Sequence, residues 1–157
     1  MVLVFGAVIL IGAPYMPTMA TARREALDLL NLEKGQLLVD LGSGDGAMLI
    51  EAARRGLRVV GYEINPFLVL ISWFRTRPYR KQVKIRWANF WWADLLDADG
   101  IFVFLIDGHM QRLDDFIKKQ ATKKTIKLAS HAFQIPGRVS AAKKGAVFLY
   151  RYRPHAK

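Results

Sequence analysis

Three glycines at every second position, Gly42, Gly44 and Gly46, follow an apolar run that ends in an aspartate at residues 37–40. Glycine adopts backbone conformations and permits close contacts that a Cβ atom would prevent. Gly42 suits a tight turn, Gly44 the close approach of a ligand, and Gly46 a helix start without a Cβ clash. The exposed amides at a helix start favour a negatively charged ligand group. The stretch therefore predicts a small-molecule site built on bare backbone.

Two carboxylates in and beside this loop narrow the choice of ligand. The fingerprint of dinucleotide-binding loops is G-x-G-x-x-G, whereas the loop here reads G-S-G-D-G and contains Asp45, with Asp40 at the end of the preceding strand. A carboxylate is unfavourable next to a pyrophosphate but suits a cationic ammonium group. S-adenosylmethionine has an ammonium, a carboxylate and a sulfonium, and no phosphate. We therefore predict that the loop binds S-adenosylmethionine rather than NAD.

Polar residues at the ends of the next two strands complete this ligand site. Glu63 closes the second strand, 21 residues after Gly42, where a carboxylate that binds ribose is expected. Asn89 follows the third strand and is placed to hydrogen-bond an adenine edge, and Phe90 could cover the adenine face. The alternative for Glu63 is a carboxylate that only caps the next helix.

Strands and helices alternate along the rest of the sequence. Apolar runs bounded by turn residues predict strands at 35–41, 57–64, 82–88, 100–106, 125–130 and 145–153. Helical spacing predicts helices at 47–56, 66–77 and 110–121. We expect the last strand to pair with part of 130–135 or 137–142. This order predicts the fold class α/β: a single Rossmann-like, doubly wound, mostly parallel sheet with an antiparallel C-terminal strand pair.

Composition and charge limit the class of protein. A chain of 157 residues with 52% apolar residues suits one domain with its own core. The absence of cysteine excludes disulfides, thiolate metal sites and a cysteine nucleophile, and we predict no metal site. Residues 116–157 contain 11 of the 24 basic side chains and none of the 13 acidic ones. That region is either a solubilising surface or a face that meets an anion, such as nucleic acid or an anionic lipid surface.

The N-terminal residues form an apolar leader. Residues 1–22 contain no charged side chain, and the apolar run 1–13 ends at Pro14. A spanning helix needs about 20 residues, and a signal peptide would start with a basic region, so we expect no cleavable signal peptide. A buried segment, an interfacial anchor and the end of a longer membrane helix remain open. We expect a protein on the cytoplasmic side, with membrane association through this leader as one interpretation.

The motifs resemble those of a known enzyme class. D-x-G-x-G-x-G at 40–46 and Glu63 resemble class I, seven-strand S-adenosylmethionine-dependent methyltransferases, over about residues 35–152. More narrowly, GAPYMPT, DLGSGDG, GYEINP and SHAFQIP are similar to a small family of membrane-associated protein-lysine methyltransferases. Its eukaryotic members methylate lysines on membrane proteins, among them the c subunit of ATP synthase and also the adenine nucleotide translocase. The resemblance implies a leader and pre-methyltransferase motif at 1–22 and a methyltransferase domain at 23–157.

The resemblance also extends the set of site residues. It implies that Tyr15 to Thr18 fold back over the cofactor and that Ser43 lines the pocket with the loop residues already described. The complete set predicted to bind the cofactor is Tyr15, Pro17, Thr18, Asp40, Gly42, Ser43, Gly44, Asp45, Gly46, Glu63, Asn65, Asn89 and Phe90.

The acceptor side is expected after the fourth strand, at Asp107-Gly108-His109. This stretch lacks the Asn/Asp-Pro-Pro-aromatic pattern of enzymes that methylate exocyclic or glutamine amines. The absence of cysteine argues against base methylation through a thiol adduct. Asp107 is the candidate to orient an amine and His109 the candidate to accept its proton, although His109 could instead merely open the next helix.

The predicted function is methyl transfer from S-adenosylmethionine to a protein substrate with an accessible lysine, with S-adenosylhomocysteine as product. One alternative is an RNA methyltransferase whose basic C-terminal region grips the nucleic-acid backbone. Another is a cofactor-binding module without catalysis. Binding to nucleic acid should weaken steeply with salt, whereas methylation of a peptide lysine should not.

Overall fold

The computed structural model describes residues 18–154 as a sheet flanked by helices. The helices are α1 (Ala20–Leu30), α2 (Ala47–Arg54), α3 (Pro66–Thr76) and α4 (Met110–Gln120). The strands are β1 (Leu37–Leu41), β2 (Arg58–Glu63), β3 (Val83–Trp87), β4 (Gly100–Val103), β5 (Ile126–His131), β6 (Ala142–Lys144) and β7 (Val147–Tyr152). Short 3₁₀ turns span Arg77–Tyr79, Phe90–Trp92 and Asp107–His109.

The seven strands form one sheet in the order β3-β2-β1-β4-β5-β7-β6. β1 to β5 run parallel to one another, and β7 runs antiparallel to both β5 and β6. The predicted fold class is thereby confirmed. Because the carboxyl ends of β1 to β5 meet at one edge, the loops after β1, β2, β3 and β4 lie side by side there.

The core occupies both faces of the sheet, as a parallel sheet requires. On one face, Val39 and Ile101 pack with Leu113 and Ile117 of α4. On the other, Leu38 packs with buried residues of α1 and α2. β1 is therefore a nearly continuous apolar run, and Asp40 is the exception within it, only 3% exposed.

Helix α1 was not predicted from the sequence. Its buried residues Ala22, Ala26, Leu27 and Leu30 recur at helical spacing, and the helix ends at Asn31 in the left-handed conformation. Two of the four are alanines, so the apolar stripe is weak in the sequence. The helix crosses position 22/23, where the sequence predicted the domain to begin.

The C-terminal strands differ in their bounds from the prediction. Ser130 and His131, at the start of 130–135, belong to β5 and pair with Phe148 and Val147. Of the predicted segment 137–142, Ala142 alone is in a strand. That strand, β6, begins at Ala142 and ends at Lys144. β4 likewise ends at Val103 rather than at 106.

Much of the basic charge of the C-terminal quarter is used to hold the domain together. Lys118 and Arg138 both pair with the buried Asp114 of α4. Further ion pairs join Lys123 to Asp97, Lys124 to Asp99 and Lys144 to Asp28. Each acid precedes residue 116, so these contacts tie the last quarter of the chain to the rest of the fold.

Two sequence predictions concern residues that lie outside the described part. The apolar leader 1–13 and the site residues Tyr15 and Pro17 precede Thr18, with which the description begins. Between residues 18 and 154, none of the helices has both the length and the apolar character needed to span a bilayer.

Candidate functional site

The glycine loop lies at the carboxyl end of β1 and turns sharply into α2. Gly42, Gly44 and Gly46 have φ values of 97°, 54° and 82°, all in the left-handed region that side chains with a Cβ rarely adopt. The amides of Gly42 and Ser43 both donate to the carbonyl of Tyr62 at 2.9 Å. A Cβ on Gly42 would meet no heavy atom within 4 Å. The loop is thus anchored to β2 while Gly42 borders open space.

Glu63 connects this loop to the end of β2. It is 8% exposed, and its Oε2 accepts the Gly44 N–H at 2.8 Å while Oε1 accepts the Asn65 N–H at 2.8 Å. Asn65 in turn caps α3, since its Oδ1 accepts the N–H of Phe67 at 2.9 Å. The carboxylate expected to bind ribose therefore also fixes the shape of the glycine loop.

Asp40 is a buried carboxyl at the centre of the sheet. In register it lies between Gly61 of β2 and Phe102 of β4. Burial, followed by repulsion from Glu63 and Asp45, raises the pKa of Asp40 to about 8. A cationic ligand group would offset both effects, so the residues present fit a ligand with an ammonium or sulfonium.

Asp45 is held within the loop itself. Its Oδ1 accepts the Ala47 N–H at 3.2 Å at the start of α2, and its Oδ2 pairs with Arg75 of α3. The charge of Asp45 thus already has a cationic partner from the protein. A contact between Asp45 and a ligand ammonium stays a prediction.

Two close packing contacts that the sequence analysis did not identify support the loop. A Cβ on Gly61 would lie 2.6 Å from the Oγ of Ser43, and a Cβ on Gly46 would overlap the Oγ of Ser72. Ser72 is fully buried in α3. The signals in the sequence were the glycine inside the second strand and the serine inside an apolar helix, and both permit close approach.

The residues after β3 and β4 meet in one aromatic cluster. Asn89 caps the 3₁₀ turn, its Oδ1 accepting the Trp91 N–H at 3.1 Å. The rings of Phe90 and Trp91 are 4.6 Å apart, and Trp91 meets His109 edge-on at 6.4 Å. The structure therefore brings the predicted adenine side next to the predicted acceptor side.

Asp107 and His109 are both exposed at this edge of the sheet. They form a single 3₁₀ turn, and His109 is the residue that precedes α4. His109 therefore stands at the start of the helix, as the alternative interpretation expected, but its side chain makes no capping hydrogen bond. The imidazole is thus available for proton transfer at the surface.

His131 is a further candidate that the set of site residues did not include. It ends β5 at the same edge of the sheet, and its ring lies 4.5 Å from that of Phe104. Its Nδ1 is buried with no hydrogen-bond partner among residues 18–154, and burial lowers the pKa of this histidine. Ala132 next to it has φ of 70°, a strained value of the kind found near functional sites. The signal was the histidine in SHAFQIP.

Comparison with known families assigns the domain. The sequence model of the ANTKMT methyltransferase domain matches residues 40–142. This span begins at Asp40 and includes the glycine loop, Glu63, Asn89 and His109. The chain belongs to this methyltransferase family. Each loop at the carboxyl edge described above thus lies within the matched span.

Two similar curated proteins are named as protein-lysine methyltransferases. The human enzyme named as the lysine N-methyltransferase of the ATP synthase c subunit is 31% identical over 68% of this chain and 46% of its own length. A protein-lysine N-methyltransferase from Saccharolobus islandicus is 27% identical over 79% of both chains. The chain therefore spans about half the length of the human relative.

A solved structure resembles nearly the whole chain. A protein described as an RNA methyltransferase from Salinibacter ruber, in complex with S-adenosyl-L-homocysteine, matches with a TM-score of 0.80 and 27% identity. The match covers 90% of this chain and 96% of that one. Residues 40–142 make up less than 90% of the chain. The structural similarity therefore extends beyond the matched family span and includes α1 or β7.

Proposed function

We propose that the protein is an S-adenosylmethionine-dependent methyltransferase that acts on a lysine of a protein substrate. The observation that carries the proposal is the family match over residues 40–142, which contains every described candidate residue except Thr18. Relatives named for protein-lysine methylation, one of them similar in extent to this chain, support lysine as the acceptor.

The geometry of the loop suits this cofactor. A cationic group next to Asp40 would offset the burial and the repulsion that raise its pKa, and the open side of Gly42 admits a ligand against the backbone. Glu63 has both carboxylate oxygens at the carboxyl edge, each accepting one backbone N–H. Since a carboxylate oxygen has two lone pairs, ribose hydroxyls could still donate to Glu63.

Bound S-adenosylmethionine supplies a methyl group activated by the sulfonium. The protein's contribution is to align the lysine amine with that methyl carbon and to hold the amine unprotonated. The new bond is N–C and the bond that breaks is C–S, so one proton must leave the amine nitrogen. In this proposal Asp107 orients the amine, and the exposed imidazole of His109 accepts the proton and passes it to water.

The test is to incubate the purified chain with radiolabelled S-adenosylmethionine and total lysate, with and without nuclease. Label that enters protein and withstands nuclease supports the proposal, and mass spectrometry of the labelled bands should then find methylated lysine. Gly44→Val is the matched inactive control, because a β-branched residue is strained at φ 54° and fills the space for the cofactor. Label in RNA alone would contradict the lysine assignment.

RNA methylation is the second candidate function. It is favoured by the similarity to the Salinibacter ruber structure, which covers nearly the full chain. The basic C-terminal quarter supports it less than its charge suggests, since Lys118, Lys123, Lys124, Arg138 and Lys144 form ion pairs within the domain. Attachment to a membrane through residues 1–13 remains a separate proposal that concerns residues outside the described part.

A further inference from the structure

Helix α3 presents its apolar side chains outward rather than to the core. Ser72 and Thr76 are its buried residues, and the Oγ1 of Thr76 donates to the carbonyl of Ser72 at 2.8 Å. These small residues let the helix approach the glycine loop at Gly46 closely. Most of the large apolar side chains of α3 consequently face away from the sheet, whereas Leu68 and Val69, on the side of Ser72, are half-buried.

The outward side chains form a coherent stripe. Phe67, Leu70, Ile71, Trp73 and Phe74 are 61%, 54%, 46%, 54% and 55% exposed. Since successive residues of an α-helix are about 100° apart, these five lie within an arc of roughly 160°, opposite Ser72. An ordinary surface helix has the reverse arrangement, with its apolar stripe toward the core.

The stripe continues onto the neighbouring edge strand. Trp87, at the end of β3, is 68% exposed, and its Nε1 donates to the carbonyl of Ile64 at 3.0 Å. Ile64 itself is 42% exposed and directly precedes the cap of α3. We call these seven residues the α3 face: Ile64, Phe67, Leu70, Ile71, Trp73, Phe74 and Trp87.

The α3 face is large for a soluble monomer. An aromatic side chain has about 150–250 Å² of surface, so the four aromatic residues alone expose on the order of 500 Å². The largest apolar patch on a typical monomer is about 300–600 Å² and is often functional. With its three aliphatic residues added, the α3 face reaches or exceeds that range, which indicates an interaction surface.

The chain segment that carries the α3 face has charges of one sign. Residues 64–93 contain six basic side chains and no acidic one. Of the six, Arg75 pairs with Asp45, and no other ion pair of this group occurs within residues 18–154. The guanidinium of Arg77 lies 5.5 Å from the Trp73 ring and 5.9 Å from the Phe74 ring. The exposed basic residues beyond it are Arg80, Lys81, Lys84 and Arg86.

We infer that the α3 face and its basic rim form a docking surface for an anionic lipid bilayer. Aromatic and aliphatic side chains enter the interfacial layer, while the basic residues meet lipid phosphates, each attracted by about 1 kcal/mol when close to the surface. α3 begins at the carboxyl edge of β2, where Glu63 and the glycine loop lie. Docking there would place the candidate site beside the membrane surface.

The chemistry of the face favours lipid over the other occupants. Single-stranded RNA binds to aromatic rings interleaved with basic residues, whereas here Ile64, Leu70 and Ile71 interrupt the aromatic residues and no basic residue of α3 lies within the arc. A second copy of the chain would bring five like charges on each side together, which is unfavourable. An anionic bilayer matches both the apolar arc and the uniform positive rim.

The decisive experiment is flotation of the full chain with vesicles of phosphatidylcholine, with or without about one third phosphatidylglycerol. We expect the parent to float with the anionic vesicles and Trp73→Ser/Phe74→Ser to lower the bound fraction about tenfold. Phe67→Ser/Leu70→Ser is the second variant, should the first not fold. Residues 1–13 are present in every variant, so the differences report on the α3 face.

Matched controls change residues outside α3 and β3. Val139→Ser removes an apolar side chain that is 93% exposed between β5 and β6 and should leave flotation unchanged. Arg80→Glu/Lys84→Glu should abolish the preference for anionic vesicles, whereas the equal charge change Lys119→Glu/Arg151→Glu should keep most of it. Unchanged binding of S-adenosylhomocysteine will show that each variant is folded.

Three results would overturn the inference. In the first, both apolar double variants float as well as the parent. In the second, the parent is a dimer without vesicles and Trp73→Ser/Phe74→Ser converts it to a monomer. In the third, the parent is retained on RNA, and these variants lose that retention but still float. Flotation requires no methyl transfer, so the inference can hold if the proposed function fails, and the proposed function can hold if the inference fails.

Discussion

Glu63 holds the glycine loop and is also the carboxylate expected to bind the ribose of the cofactor. Its two oxygens each accept a backbone N–H, from Gly44 and from Asn65. A glutamine has one acceptor oxygen, so Glu63→Gln must leave one of these N–H groups facing an NH₂ group. We expect binding of S-adenosylhomocysteine to weaken by about 1.5–3 kcal/mol, measured by calorimetry. A change below a few tenths would mean that Glu63 is a cap for α3 and no part of the ligand site.

Asp40 predicts a pH dependence of cofactor binding. Its pKa in the protein is about 8, above the ordinary value near 3.9. A cationic ligand favours the ionised carboxylate, so binding should release a proton and affinity should rise between about pH 6 and pH 8. Calorimetry in buffers of different ionisation enthalpy counts that proton.

Asp40→Asn is the control for this effect. The variant should bind more weakly and with no proton release between about pH 6 and pH 8, because an amide does not titrate. The sign for stability is opposite to that for binding. A carboxyl with a raised folded pKa makes the ligand-free protein less stable as pH rises from about 4 toward 8. An affinity of the parent that stays constant over this range would show that no cation meets Asp40.

The packing of β2 against the glycine loop predicts a rescue experiment. A Cβ on Gly61 would lie 2.6 Å from the Ser43 Oγ and 2.8 Å from the Cδ1 of Leu49. Gly61→Ala should therefore displace the loop and weaken cofactor binding by about 1–3 kcal/mol, the usual effect of overpacking. Ser43→Gly in the same chain removes the main obstacle and should restore part of the loss. If the double variant binds no better than Gly61→Ala, the loop does not depend on this contact.

Helix α4 is joined to the C-terminal strands through Asp114. Burial would raise the pKa of Asp114, but hydrogen bonds from Lys118 and Tyr152 and the charge of Arg138 hold it below its ordinary value. Asp114→Asn leaves Arg138 without its carboxylate and should destabilise the protein by about 2–4 kcal/mol at pH 7, measured by urea unfolding. Because the folded pKa is lowered, the difference from the parent should shrink as pH falls below about 4. An equal difference at all pH values would assign the loss to packing.

The whole domain should respond to its ligand as one cooperative unit. A ligand at 100 times its Kd stabilises the folded state by about 2.7 kcal/mol. For a domain of this size, that corresponds to a rise in Tm of about 5–10 °C. We expect this rise with S-adenosylhomocysteine and none with NAD, measured by thermal unfolding. A rise with NAD alone would contradict the interpretation of the loop.

The sequence alone determined the ligand loop and the alternation of elements, because both depend on local chemistry. Gly42, Gly44 and Gly46 lead from β1 into α2 in left-handed conformations that suit glycine, and the apolar runs became strands of one sheet. Glu63 and Asn89 follow the ends of their strands as expected. Helix α1 was missed because its stripe of two alanines and two leucines is weak. Of β6 only Ala142 lay within the expected partner segment 137–142, because three exposed residues show no strand pattern.

Tertiary structure decided what each predicted residue touches. Asp45 pairs with Arg75 of α3, a partner 30 residues away that no spacing in the loop could indicate. Five of the eleven basic residues in the C-terminal quarter form ion pairs with acids earlier in the chain, and charge counts along the chain could not show where those acids lie. Helix α3, strongly apolar in sequence, turns its small residues inward, since close packing on Gly46 leaves no room for larger ones. Which face of an apolar helix is buried depends on the surface it packs against, and that surface exists once the sheet has formed.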